Sequence, residues 1–168
     1  MHETDRAIQM SGRVIIVSAQ AGDLLEVKSL FSEYASSLGI DLSFQDFDRE
    51  LVALPGEYAP PNGSILIARR GSQIVGCVAI RGMSNEICEM KRLYVKPGFR
   101  GRGLGKSLAL RVIQEAKRRG YRKMRLDTLP SMVRALGLYE SLGFKQISPY
   151  RYNPIQGAVF LELDLSAV

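Results

Sequence analysis

The residues best suited to chemistry lie in one segment, Val95 to Leu108, which reads VKPGFRGRGLGKSL. It falls between a strand-like stretch and a helix-like one. A helix start offers unpaired N–H groups and the positive end of the helix dipole. Gly101, Gly103 and Gly105 let backbone come close to a ligand, and Arg100, Arg102 and Lys106 add positive charge. Together these features make a site for a phosphate or pyrophosphate. Two better-known anion loops do not fit. A P-loop needs a glycine five residues before Gly105, then Lys and Ser; Lys106 and Ser107 are present, but position 100 is Arg. The dinucleotide fingerprint fails because the glycines run 101, 103, 105, position 106 is Lys, and no clear βαβ unit surrounds them.

The single histidine, His2, removes other mechanisms. A Ser-His-Asp or Cys-His site has no histidine to use, and a zinc site of the Cys/His kind has too few ligands. Acid–base chemistry must come from Asp, Glu, Tyr, Lys, Cys or water. The two cysteines, Cys77 and Cys88, sit in apolar stretches, which marks them as core. Two are too few for a disulfide framework, so a reducing, cytoplasmic setting is expected.

The elements that must position the loop can be read from periodicity. Val14 to Ala19 is a short buried strand. Asp23 and Glu26 suggest a capping box before a helix whose stripe is Leu24, Val27, Leu30, Phe31, Tyr34 and Leu38, ended by Gly39. A second short helix begins after Ser43, and Pro55 to Gly63 is a loop. Ser64 to Ala68 and Gln73 to Ile80 are strands joined by a hairpin turn over Arg69 to Ser72. Ile87 to Val95 is the next strand, and its alternation slips. Cys88 and Met90 share one phase, Leu93 and Val95 the other. One extra residue near Lys91-Arg92, a β-bulge, would produce that slip; a strand covered on both faces would also tolerate it. A helix follows the Gly-rich loop to about Arg119, then a strand from Tyr121 to Thr128. Ser131 caps a helix to Leu142, Gly143 terminates it, and Gly157 to Leu165 is the last strand. This order is α+β around one mixed sheet.

With 168 residues, 46% of them hydrophobic, the chain can bury one core and is read as one domain, 1–168, with 1–12 flexible. No apolar run approaches the roughly 20 residues of a membrane span, and Met1 to Gly12 is too polar for an export signal. The net charge of +6 favours an anionic partner. A phosphate-bearing cofactor and nucleic acid both satisfy it.

R-x-x-G-x-G from Arg100 to Gly105, preceded by V-x-P at Val95 and Pro97, resembles the acetyl-CoA motif of the GNAT superfamily of N-acyltransferases. ALGLYESLGF, Ala135 to Phe144, is similar to that superfamily's late helix with its tyrosine and terminal Gly-Phe. The resemblance covers roughly Ser64 to Leu165. It implies a mixed central sheet with a splayed, bulged strand pair and helices on both faces. It also implies an N-acetyltransferase, in which the primary amine of a small molecule attacks acetyl-CoA directly in a ternary complex, without a metal.

By the same resemblance, the backbone of Leu93, Tyr94 and Val95 pairs with the pantetheine amides as an added strand would. The N–H groups of Arg100, Gly101, Arg102, Gly103, Leu104, Gly105 and Lys106 hold the pyrophosphate, with Ser107 beside them. Tyr139 matches the family's tyrosine and would be the acid for the departing thiolate; by periodicity alone it is a core tyrosine. The base is open among Glu89, Asp127 and a water chain. Ser131 stands near where family members often carry Asn, and its hydroxyl could substitute.

Two alternatives stay in view. The same fold could acetylate protein N-termini or lysines. A nucleic-acid-binding module would use the basic run Lys117 to Lys123, although such a run more often marks a solvated helix end, and no nucleic-acid motif accompanies it. The acceptor should meet the first two helices and the loop after them, where Tyr34, Phe44, Phe47 and Tyr58 stand with Asp41, Asp46 and Glu57. Acids near aromatics suit a cationic amine. A homodimer is compatible with the residues.

Overall fold

The computed structural model describes residues 12–166. The expectation of flexibility for residues 1–12, and His2 with it, falls outside them up to residue 11. Strands β1 (Val14–Ser18), β2 (Ser64–Arg70), β3 (Gln73–Gly82), β4 (Ile87–Val95), β5 (Lys123–Thr128), β6 (Lys145–Ile147) and β7 (Val159–Asp164) form one sheet in the order β1-β2-β3-β4-β5-β7-β6. Among the described residues only β4 and β5 run parallel; all other neighbours are antiparallel. The helices are α1 (Leu24–Leu38), α2 (Phe47–Ala53), α3 (Leu104–Arg118) and α4 (Val133–Ser141).

Alternating side chains divide the core between two faces. Val27, Leu30 and Phe31 of α1 and Phe47 of α2 pack with Ile65, Ile67, Cys77 and Tyr94. On the other face, Leu108, Val112 and Ala116 of α3 and Tyr139 of α4 pack with Leu66, Val78, Met90 and Leu126. Each large aliphatic side chain buried there contributes about 1.5–3 kcal/mol. The expected layering, a mixed sheet with helices on both faces, is what forms.

The phase slip in β4 is a bulge. Lys91 pairs with Ala79 and Tyr94 with Cys77, so Arg92 and Leu93 together face Val78. Arg92 takes φ +60°, a left-handed conformation uncommon for a long side chain. As a result Cys88, Met90, Leu93 and Val95 all pack toward the same face despite the broken alternation. What holds the bulge is the α2 region. Arg92 makes two parallel bonds to Glu50, both 3.0 Å, and its guanidinium lies 5.0 Å from the Phe47 ring centre. Such a conformation costs of order 1–3 kcal/mol, which these contacts offset.

Several boundaries differ from those expected. The β2–β3 turn is only Gly71-Ser72, with Gly71 at φ +60°. Asp23 does not cap α1 with its side chain; its carboxylate accepts from the Gln20 N–H (2.8 Å) and pairs with Arg69 (2.5 Å), serving a 3-10 turn instead. Ser131 does not cap α4, which begins at Val133 after Met132. The end of α4 is a Schellman turn as read: Phe144 N–H meets Tyr139 C=O (3.1 Å), Gly143 N–H meets Glu140 C=O (3.0 Å), and Gly143 sits at φ +97°. β6 is an additional short strand, absent from the elements that periodicity predicts.

Candidate active site

The sheet opens at its centre. β4 and β5 pair only from Ile87/Lys123 to Glu89/Arg125. Among the described residues, the edge of β4 facing β5 has no strand partner beyond Glu89, while β5 continues on β7 to Thr128. The backbone of Met90 to Val95 therefore borders a gap whose polar groups need another partner. The inner part of this gap is lined by Tyr34, Lys91, Arg92, Asp127, Thr128 and Tyr139. Its outer part runs past Leu93, Tyr94, Val95, Arg100 and Ser131. Tyr34, Leu93, Met132 and Ala135 border both, so the two form one groove.

At the outer end the Gly-rich loop turns into α3. Gly101 and Gly103 take φ +79° and +77°. The first helical bond runs from Ser107 N–H to Gly103 C=O (3.0 Å), so the N–H groups of Leu104, Gly105 and Lys106 have no helical partner. Ser107 Oγ donates back to the same carbonyl (3.1 Å). Arg100 folds over the strand end: its Nε donates to Val95 C=O (2.9 Å) and its guanidinium lies 5.5 Å from the Tyr94 ring centre. Arg102 and Lys106 are exposed beside the helix start. A positive helix end with bare N–H groups fits a pyrophosphate.

Tyr139 sits at the inner end, buried, with its ring 5.6 Å from Phe144. Burial, with a smaller effect from Tyr34, pushes its hydroxyl well above the ordinary tyrosine range, so it is protonated at neutral pH. Asp127 borders the same space and accepts one hydrogen bond, from Asn153 Nδ2 (3.1 Å).

Glu89 is placed differently. It is wholly buried at the last β4–β5 pair and does not border the gap. Arg81 Nε reaches one oxygen (2.9 Å), and Tyr150 Oη and Arg151 reach the other (both 2.7 Å), with Lys91 at 4.0 Å. Burial would raise its pKa, but Lys91, Arg151, Arg81 and the Tyr150 hydroxyl together hold it below the usual carboxylate value. The sequence reading missed its partners Arg81, Tyr150 and Arg151, and missed Lys91 and Gln45 as lining residues. The run SPYRYNP from Ser148, two prolines around a Tyr-Arg pair, was the available signal for a loop returning to the site.

Cys77 and Cys88 are buried, and burial pushes both thiols up to about 12, so neither is a nucleophile at neutral pH. The basic run is a helix end answered by acids: Arg118 and Arg119 pair with Glu115, Arg122 with Glu86, and Lys123 with Glu162. Among the described residues no helix is long and apolar enough to cross a membrane, and no group of three His, Cys, Asp or Glu could hold a metal.

Comparison with known proteins agrees with this geometry. The acetyltransferase (GNAT) family profile matches residues 25–144, more than half of the chain. An uncharacterized N-acetyltransferase of Schizosaccharomyces pombe is 43% identical over 146 residues, which cover 86% of this chain and 90% of that protein. An N-acetylaspartate synthetase of Xenopus tropicalis is 32% identical over 98 residues, covering 58% of this chain and 36% of its own. The fold is shared with an N-acetyltransferase of Thermoplasma acidophilum solved in complex with coenzyme A: TM-score 0.69, 19% identity, covering 90% of this chain and 99% of that one.

Proposed function

Because this chain belongs to the acetyltransferase (GNAT) family, we propose that it transfers an acetyl group from acetyl-CoA to the primary amine of a small molecule, by direct attack in a ternary complex. The observation that carries this reading is the gap between β4 and β5, with bare helix N–H groups at one end and a protonated, buried tyrosine at the other. The free edge of Leu93 to Val95 supplies strand-like bonds for pantetheine amides. For Val95 C=O this requires Arg100 to swing aside, which frees the guanidinium for phosphate. The N–H groups from Arg100 to Lys106 receive the pyrophosphate, with Ser107 beside them, and Ser131 stands along the cofactor arm.

In the reaction the amine nitrogen bonds to the thioester carbonyl carbon and the carbon–sulfur bond breaks. An N–H on the open edge of β4 steadies the oxyanion. Asp127, directly or through water, accepts the proton that the amine loses, and Tyr139 gives its proton to the departing sulfur. We assign Glu89 a positioning role, because its oxygens are engaged by Arg81, Arg151 and Tyr150. The Xenopus relative, named for acetylated aspartate, supports a small acceptor. The two inert, buried thiols suit a reducing cytoplasm.

Calorimetric titration tests the first step: acetyl-CoA binds and ATP does not. No heat from acetyl-CoA would overturn the reading. Gly103→Val is expected to weaken acetyl-CoA at least about tenfold in the same titration, because a β-branched residue resists φ +77° and the loop must move. Retained affinity would mean that the loop does not hold the cofactor.

A further inference from the structure

The inner wall of the gap contains a positive charge that the protein leaves without an anion of its own. Lys91 is buried, with 5% of its surface exposed, yet it borders the cavity beside Tyr139 and Asp127. Its Nζ bonds to the neutral Gln45 Oε1 at 3.0 Å, while its nearest carboxylate, Glu89, is 4.0 Å away and already shared between Arg81 and Arg151. Arg92 beside it is matched by Glu50. The count around Glu89 is therefore three cations, with Glu57 answering Arg81 at the surface. A buried cation that holds only a distant share of one carboxylate is incompletely compensated, and a ligand anion would complete it.

Gln45 sharpens the point. Its Oε1 accepts from both Lys91 Nζ and Arg92 Nη1, each at 3.0 Å. Two cations thereby fix which way the amide faces, and its Nε2 donors are turned away from them. No described residue accepts from those donors. On the neighbouring cavity, which Gln45 also borders, Arg151 Nε is buried without a partner, the one such side-chain atom among the described residues.

We infer that Lys91 and the Gln45 amide form a carboxylate subsite, and that the acceptor is an amino acid or similar zwitterion, with its carboxylate on this pair and its ammonium facing Asp127. The inference rests on the acetyl-transfer reading above and narrows its acceptor. Acids alone had suggested a cationic amine. In the structure Glu50 and Glu57 are spent on Arg92 and Arg81, and Asp41 on the Ser43 turn. The amine's charge still finds Asp127, but the larger unmet demand is for an anion.

The test compares amino acids with their carboxamides as acceptors, by release of free CoA thiol. The panel is aspartate, glutamate, glycine and alanine, each against its amide. Wild-type protein is expected to prefer at least one acid over its amide by about tenfold to a hundredfold in kcat/KM. Lys91→Met should collapse that ratio toward one, mainly through KM, and Lys91→Arg should restore part of it. Succinate, which has no amine, gives a readout in the unmodified protein: it competes with the acceptor. Burial pulls the Lys91 pKa down to about 8, against Glu89 and Asp127, which raise it, and Arg92 and Arg151, which lower it further. Inhibition by succinate should therefore weaken as pH rises through about 8. Equal use of acids and amides, or a preference that Lys91→Met leaves intact, would overturn the inference while the acetyl-transfer reading stands. Failure to bind acetyl-CoA would instead remove that reading itself.

Discussion

Tyr139→Phe is expected to lower kcat by about 10²–10³ while leaving acetyl-CoA affinity within about twofold. The substitution deletes one oxygen and keeps the ring. The edge contact with Phe144 and the place of the ring in the core survive, so folding should be nearly unaffected. What is lost is a proton held at the inner end of the groove. Burial keeps that hydroxyl protonated well past neutral pH, which suits an acid that must give its proton only when a thiolate develops beside it. The deficit should be nearly flat between pH 6 and 9, because Tyr139 does not titrate there. Single-turnover acetyl transfer, paired with calorimetry for cofactor affinity, separates the chemical step from binding. An unchanged kcat would return Tyr139 to the core role that its helical stripe alone suggested.

The parts of the site that could be read beforehand are those written in local backbone. The bulge showed as a slip between Cys88, Met90 and Leu93, Val95, because side chains must return to the same core whatever the strand does. The loop showed because Gly101 and Gly103 mark backbone that bulkier residues resist. The Schellman end of α4 showed for the same reason. What could not be read was side-chain traffic between distant segments. Asp23 looks like a cap by spacing, but Arg69, 46 residues on, claims its carboxylate. Glu89 looks like a free acid on a strand, but Tyr150 reaches it from 61 residues away. β6 has three residues, two of them exposed, too few for alternation to register. In the sequence Lys91 marks only a bulge. That same bulge changes the strand's phase just where Lys91 and Arg92 meet the cavity, so the local irregularity and the charge in the gap have one origin.

Glu89→Gln is expected to lower stability by about 3–5 kcal/mol, because it leaves Arg81, Arg151 and Lys91 without their shared buried anion. For a chain of this length that corresponds to a fall in Tm of about 6–20 °C. The sign of its pH dependence follows from the depressed carboxyl. The native protein holds Glu89 ionised more readily than the unfolded chain does. Its stabilisation is complete above the ordinary glutamate value of 4.5 and is lost as pH falls through the lower native value. Thermal melts of wild type and variant should therefore differ most at neutral pH and converge in strong acid. The same substitution separates a positioning glutamate from a catalytic base. Without Glu89, the strongest influence raising the Lys91 pKa against burial is gone. Lys91 then loses its proton at a lower pH than about 8, and the acceptor KM should rise with a smaller change in kcat. A base would show the reverse, a collapse of kcat and the disappearance of the acidic limb of the rate profile. Adding Lys91→Met to Glu89→Gln removes one of the stranded cations. The double variant should be more stable than the sum of the two single losses predicts, since the residues act through one cluster.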